Sequence, residues 1–331
     1  MNTISIIIAI YNRKDELFEL LSSLSHQTDK VFEIIIVDDG SQIDLVPTIN
    51  LFREHLDIHF FRKENSGPGL SRNYGARRAK NNWLVFVDSD VIVEKDYIEN
   101  IKKNIIEKPT DAFGGADKAH KGFNLLQKAI SYSMTSVFTT GGIRGSKKSV
   151  TKFQPRSFNM GVNKEIFLKI GGFADMRIGE DPDLSMTLWE KGYKTKFYDN
   201  IAVYHKRRTD LGKFSKQVYQ FGVARPILNQ RHPDYTKITF WFPTVFLVGY
   251  IIGFIHYFVW AFGLVLMCYG LYTFVIFLHA LYKTKNVSIA AMAVISTYVQ
   301  MFSYGWGFLE SWFKLNILKQ TPKEAFPKHF H

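Results

Sequence analysis

Cysteine is nearly absent: Cys268 is the single one in 331 residues. That excludes an intramolecular disulfide framework and a cysteine-built metal site, and it fits a reducing compartment. A secretory leader is not expected either, because the opening MNTISIIIAIYNRKDE has no basic region before its apolar run, which is only strand-length. Two phosphate-binding fingerprints are missing. There is no P-loop, and GPGLSR starts like G-x-G-x-x-G but breaks at Arg72, which argues against a P-loop ATPase and a nicotinamide dehydrogenase. The longest absence is of charge: from Phe240 to Tyr282, 43 residues, there is no Asp, Glu, Lys or Arg.

A spanning helix needs about 20 apolar residues, so this run is long enough for two helices with a tight turn near Gly263. A second uncharged run, Val287 to Leu309, supplies a third candidate span, and Trp241, Trp260, Trp306 and Trp312 sit where an interfacial belt is expected. A buried core helix pair in a soluble domain is a poor alternative for 43 uncharged residues. Charge is concentrated just before this region. The net charge is +12, and between His205 and Lys237 eight Lys and Arg face only Asp210 and Asp234. Such a block can meet nucleic acid, anionic lipid or a phosphorylated ligand, and its place beside apolar runs favours lipid. No nucleic-acid partner is expected.

The length suits one catalytic domain of about 200 to 250 residues with an appendage. Up to about residue 210, strand-like and helix-like patterns alternate. ISIIIAIY (Ile4 to Tyr11), FEIIIVDDG (Phe32 to Gly40), IHFFRKE and WLVFVD read as strands buried on both faces. Between the first two, Leu17, Leu20, Leu21 and Leu24 recur at helical spacing. This alternation predicts βαβ units and an open twisted α/β sheet, whose ligands bind beyond the carboxyl ends of the strands. The segment from Lys121 to Lys152 is harder to read; its TTGGIRGSKKS is expected to be a mobile basic loop near the site.

Each motif at a strand end has an ordinary and a chemical reading. In WLVFVDSDVI, Asp88 and Asp90 lie two apart, which on a strand puts both carboxylates on one face. They either make a polar turn capping the next helix or bind a hard divalent cation. In VDDGS, Asp38 and Asp39 form an Asp-Gly turn or accept a hydrogen bond from a base or ribose. NSGPGLSRNYGARRAK opens a helix carrying Arg72, Arg77 and Arg78, a setting that attracts anions. In GGFADMRIGEDPDLSMTLWEKGYK, Glu180, Asp181 and Asp183 are first-turn acids of a helix, or one of them is a general base. His205, after another strand-like run, is structural or completes a metal shell.

Taken in order, SIIIAIYNRKDEL, EIIIVDDGS, NSGPGLSRNYGARRA, WLVFVDSDV, GGFADMRIGEDPDLSMTLWEKGY and VYH resemble glycosyltransferase family 2, over roughly residues 3 to 210. The resemblance implies a GT-A, Rossmann-like α/β domain for nucleotide-diphospho-sugar transfer, followed here by C-terminal transmembrane helices. It implies Ala9, Tyr11 and Asp39 in the nucleotide pocket, Arg72 near the diphosphate, and Asp88 facing ribose and metal. Asp90 would bind the metal directly, with His205 as a further ligand, and Asp181 would be the catalytic base with Glu180 as second candidate. The implied cofactor is Mg²⁺ or Mn²⁺, and the implied reaction is inverting displacement from a nucleotide-diphosphate sugar.

Processive members carry Q-x-x-R-W before their membrane helices; here QVYQFGVARP departs from it, which favours transfer of a single sugar. The expected organisation is a catalytic domain over 1–210, a basic interfacial linker over 211–239, two to three spans over 240–313 and a basic tail over 314–331. The expected setting is multi-pass in the inner membrane with the catalytic domain cytoplasmic, and the expected acceptor is a lipid-linked or other cell-envelope glycan. Alternatives are a non-catalytic nucleotide-sugar-binding scaffold, a polysaccharide synthase subunit and, least fitting, a transporter subunit.

Overall fold

The computed structural model describes residues 3–118, 123–140, 152–205, 210–260 and 263–330, without the side chains of 205, 259 and 260. Lys206, Arg207 and Arg208 of the basic block, and most of TTGGIRGSKKS, lie outside the described residues. The chain begins β1 (Ile4–Ile10), α1 (Lys14–Ser25), β2 (Phe32–Asp38), α2 (Val46–Asn50), β3 (Asp57–Arg62), α3 (Gly67–Arg78) and β4 (Trp83–Val87). Next come β5 (Val91–Val93), α4 (Tyr97–Glu107), β6 (Ala112–Lys118), α5 (Leu125–Thr135), α6 (Val137–Thr140), β7 (Asn159–Asn163), α7 (Lys164–Lys169), α8 (Glu180–Glu190) and β8 (Thr195–His205). The remaining helices are α9 (Leu211–Arg231), α10 (Phe242–Trp260), α11 (Leu264–Thr284), α12 (Val287–Trp312) and α13 (Pro322–Ala325).

By its contacts the chain divides into two units, residues 1–120, 149–206 and 328–331, and residues 121–148 and 207–327. In the first unit one sheet runs in the order β3-β2-β1-β4-β7-β6-β8-β5. The strands β3, β2, β1 and β4 are parallel, as continuous apolar runs predict. The sheet is mixed beyond them: β7 pairs antiparallel with both β4 and β6, and β5 pairs antiparallel with β8. Helices cover both faces. Leu17, Leu20, Leu21 and Leu24 of α1 join Ile98 and Ile101 of α4 on one face. Ala76 of α3, Phe167 of α7 and Leu184 and Leu188 of α8 pack on the other. Each buried leucine contributes about 2 kcal/mol of transfer free energy to this two-sided packing.

The second unit contains three helices long and apolar enough to cross a membrane, Ile238–Phe258, Leu264–Thr284 and Val287–Ile317. Twenty-one residues of helix reach about 32 Å, the thickness of a hydrocarbon core. Large apolar side chains point outward: Val245, Phe258, Met267 and Leu271 are all more than 60% exposed. Polar groups are satisfied inside instead, with Tyr269 donating to the Phe246 carbonyl at 2.7 Å and Thr244 to that of Gly305 at 3.0 Å. This inversion of the usual pattern is what a lipid solvent demands.

Two features differ from the expected organisation. The segment expected to be a separate linker is largely α9, packed on α12 with Phe214, Val218, Val223 and Ile227 buried. The described part of the hard-to-read segment includes α5, capped by Asn124 and Gln127, which packs with the apolar helices: Ala129 and Tyr132 join Ile276, Ala280, Ile289 and Ala293. Small residues explain the tightness of the α9–α12 pair. A Cβ on Gly222 would lie 2.3 Å from the Tyr304 carbonyl oxygen, and one on Gly307 2.3 Å from that of Tyr219. Gly222→Ala is therefore expected to destabilise the detergent-solubilised protein by about 1–3 kcal/mol through overpacking. Gly270→Ala on α11, where a Cβ meets nothing within 4 Å, should leave it unchanged or slightly more stable. Equal melting temperatures for the two variants would contradict this packing.

Candidate active site

The open ends of β1, β2 and β4 carry the residues singled out by sequence. In β1 only Ala9 is not fully buried, and Tyr11, just past the strand, is 46% exposed. Asn12 then takes a left-handed conformation, φ 55°, held by its N–H donating to Ser41 Oγ at 2.9 Å and its side-chain oxygen accepting from Gln42 N at 2.8 Å. The turn delivers Arg13 into the site.

Asp38 makes the expected turn, its Oδ1 accepting from Ser41 N at 2.9 Å. Asp39 does something the turn reading omits. Its carboxylate accepts from Ser66 N at 2.9 Å, Gly67 N at 2.8 Å, Ser71 Oγ at 2.8 Å and Lys63 Nζ at 2.6 Å. It thus binds the otherwise unpartnered amides at the start of α3, where the helix dipole favours negative charge. Asp39 anchors the loop that brings Arg72 in.

Arg72 is 4% exposed and sits at the centre of the site. Its Nη2 donates to Asp88 Oδ1 at 2.6 Å and its Nη1 to Glu180 Oε1 at 3.0 Å, with the Phe173 ring 5.4 Å from the guanidinium. Burial works against its charge, but Asp88 and Glu180 outweigh burial and raise its pKa. One guanidinium therefore joins the β4 turn to the start of α8, whose Glu180 lies 108 positions from Arg72 along the chain.

The two aspartates are not on a strand, as the alternation argument assumed. β4 ends at Val87 and β5 starts at Val91, so Asp88 and Asp90 occupy the turn between them, and no helix follows for them to cap. Each meets its own arginine: Asp88 meets Arg72, and Asp90 Oδ2 accepts from Arg13 Nη1 at 2.5 Å. Burial disfavours the Arg13 charge as well, yet Asp90 holds its pKa above the ordinary value. Like charge in this turn is offset by the two cations. His205 reaches the same region through the backbone, where it pairs with Val91; its side chain is outside the described residues.

At the start of α8 the acids are first-turn residues, as the ordinary reading has it: Glu180, Asp181 and Asp183 follow Gly179, the N-cap at φ 91°, which offers no side-chain cap of its own. Glu180 and Asp181 face different surroundings. Glu180 is 7% exposed and tied to Arg72, whereas the side chain of Asp181 is 18% exposed and lies 3.6 Å from Arg156 Nη1. Arg13, Lys63 and Arg156 were missed at the sequence level. The Arg of YNRKDE, two residues after the pocket tyrosine, was the available signal for Arg13; Lys63 and Arg156 had none. A shallow depression beside Trp189, Tyr193 and Lys194 lies past the other end of α8 and takes no part.

Burial first, and then the neighbouring Asp181, push the Glu180 carboxyl up to about 7, with Arg72 opposing. Its folded pKa lies above the unfolded value of about 4.3, so the native state binds the extra proton between these limits. The stability this proton contributes is fully present below about 4.3 and is lost as pH rises through about 7. Glu180→Gln removes the titration. The melting temperature of the variant relative to the parent is thus expected to rise over that window; a difference independent of pH would mean that Glu180 is ionised throughout.

Family and fold are shown by comparison with known proteins. The profile described as Glycosyl transferase family 2 matches residues 5–170. An uncharacterized glycosyltransferase of Haemophilus influenzae is 30% identical over 221 residues, covering 63% of this chain and 70% of that protein. Another, from Rickettsia felis, is 33% identical over 142 residues, covering 42% of this chain; the match spans only 23% of that longer relative. In fold the chain is similar to the mannosyltransferase PcManGT of Pyrobaculum calidifontis, with TM-score 0.62 at 15% identity over 90% of this chain and 86% of that one. The chain belongs to glycosyltransferase family 2.

Proposed function

We propose that this protein transfers a single sugar, with inversion, from a nucleotide-diphosphate sugar to an acceptor hydroxyl at the cytoplasmic face of the inner membrane. The observation that carries the reading is the Arg72 bridge, which links Asp88 of the β4 turn to Glu180, directly beside the more exposed Asp181. A metal-and-diphosphate locus and a base are thereby held in one frame. The solved structure of PcManGT is a complex with GDP-Man and Mn2+, which supports a donor and ion of this class.

Asp88 and Asp90 fit Mg²⁺ or Mn²⁺ as donors: both are carboxylates, hard oxygen ligands, on one turn, with side chains 31% and 11% exposed. His205 is proposed as a further ligand. When bound, the ion supplies positive charge against the phosphate oxygens. The chain's own residues do the rest. Ala9 and Tyr11 flank the nucleotide, with Asp39 fixing the floor of the pocket through α3. Arg72, already buried and cationic, faces the charge that builds on the departing diphosphate, where a preorganised donor is most effective. Asp181 takes the proton of the acceptor hydroxyl, and Arg156 orients its carboxylate. Glu180, engaged by Arg72, serves as a strut rather than as the base. No protein nucleophile is required.

In this reading residues 1–210 carry catalysis and 240–313 cross the membrane, flanked by the basic stretches 211–239 and 314–331. These cations suit anionic headgroups and a lipid-linked or cell-envelope acceptor. The lack of Q-x-x-R-W and the presence of three candidate spans support single transfer over polymerisation.

The test is nucleotide diphosphate release by the full chain in detergent against UDP-, GDP- and dTDP-sugars with Mn²⁺ or Mg²⁺, with a membrane-lipid extract as acceptor. Asp181→Asn is expected to lower turnover by about 10²–10⁴-fold with donor binding retained. Asp90→Asn should abolish metal-dependent release together with productive donor binding. No release with any donor, with donor binding unchanged in both variants, would move the protein to the scaffold reading; release indifferent to chelator and to both substitutions would overturn the assigned metal and base.

A further inference from the structure

At the opposite end of the sheet from the catalytic carboxylates lies a second group of ligand-type side chains. Glu33 is the second residue of β2, and Asp57 and His59 are the first and third of β3. The parallel register sets Glu33 beside Asp57 and Ile35 beside His59, so all three side chains leave one face of the sheet at its edge. Their ligand atoms lie within 4.8 Å of one another.

The carboxylate of Glu33 is 4% exposed, and its two oxygens are used very differently. Oε1 accepts from Ser5 Oγ at 2.6 Å, Lys80 N at 2.6 Å and Asn81 Nδ2 at 3.3 Å. Oε2 is buried and accepts no hydrogen bond. It faces His59 Nε2 at 3.6 Å, and that nitrogen lies 3.2 Å from Asp57 Oδ1. His59 Nε2 is itself buried and makes no hydrogen bond to either oxygen. An imidazolium paired with carboxylates would aim its N–H along one of these lines. Atoms that share a central ion instead aim their lone pairs at that centre and stand apart as its coordination edges. For ligand bonds of about 2.0–2.1 Å, a tetrahedron has edges of about 3.3 Å. The separations of 3.2 and 3.6 Å bracket that value.

We propose that Glu33, Asp57 and His59 form a second metal site, for a borderline divalent transition ion of the Zn²⁺ class, distinct from the catalytic ion. One imidazole with two carboxylates offsets a double positive charge and selects for transition metals over Mg²⁺, which favours all-oxygen shells. Ser5, Lys80 and Asn81 orient Glu33 from behind, as outer partners of metal ligands do. Asp57, with its side chain 62% exposed, leaves the outer side open to water. The five residue steps from Glu33 to Asp38 put this site about 17 Å from the donor-pocket end of β2, at about 3.3 Å per residue. The ion would clamp edge strand β3 to β2 and take no part in sugar transfer.

The test uses the full chain in detergent carrying Asp88→Asn and Asp90→Asn, so that the catalytic carboxylates do not compete for metal. One equivalent of Co²⁺ should bind with visible d–d absorption, be displaced by Zn²⁺, and resist excess Mg²⁺. Adding His59→Gln, a partly exposed edge position that should fold normally, is expected to abolish the signal. Adding Ser5→Ala should weaken Zn²⁺ by about tenfold or more. In the otherwise unaltered protein, His59→Gln should leave sugar transfer intact and remove Zn²⁺-dependent thermal stabilisation. No uptake by the doubly substituted chain, or uptake unchanged by His59→Gln, overturns the proposal.

Discussion

The site depends on one buried cation. Placing the Arg72 guanidinium at 4% exposure costs several kcal/mol of desolvation, and that cost is met only because carboxylates wait on both sides of it. Asp88 comes from a turn after β4 and Glu180 from the start of α8, so neither can be displaced without stranding the other's partner. Much of the surrounding architecture serves this contact. Asp39 pins the start of α3, Phe173 roofs the guanidinium, and the close packing of α3 on β1 and β2 holds the helix in place.

Arg13 and Asp90 repeat the arrangement at a more accessible level. Together the two pairs balance the charge of the turn before any ligand arrives. Under the proposed function, a donor diphosphate would enter by exchanging partners within an existing set of charges, which needs less reorganisation than assembling them from water.

Much of this was readable in the sequence, for identifiable reasons. Local periodicity fixed α1 through its four leucines, and continuous β-branched runs fixed β1, β2 and β4. Uncharged length gave the apolar helices, and Arg72, Asp88, Asp90, Glu180 and Asp181 stood out by type and by position at strand and helix ends. What stayed hidden was non-local. Arg13 meets Asp90 across 77 positions, a pairing no periodicity encodes. β7, NMGVN, has too little apolar character to read as a strand and is held between β4 and β6 by its neighbours. The placement of Asp88 and Asp90 in a turn depends on β5, only three residues long. The amphipathic face of α5 likewise carries no mark of which partner it will choose.

That choice of partner makes the order of the chain differ from the order of its units. The second unit begins at residue 121, is left at 148, and is rejoined at 207, while the last four residues return to the first. Cutting the chain before the apolar helices would therefore not release a self-contained catalytic fragment. It would leave Ala129 and Tyr132 of α5 facing water where Ile276, Ala280 and Ala293 belong, and the fragment would carry a greasy stub in the middle of its own sequence. Solubilising such a protein by truncation calls for excising the insertion between β6 and β7 as well as the tail.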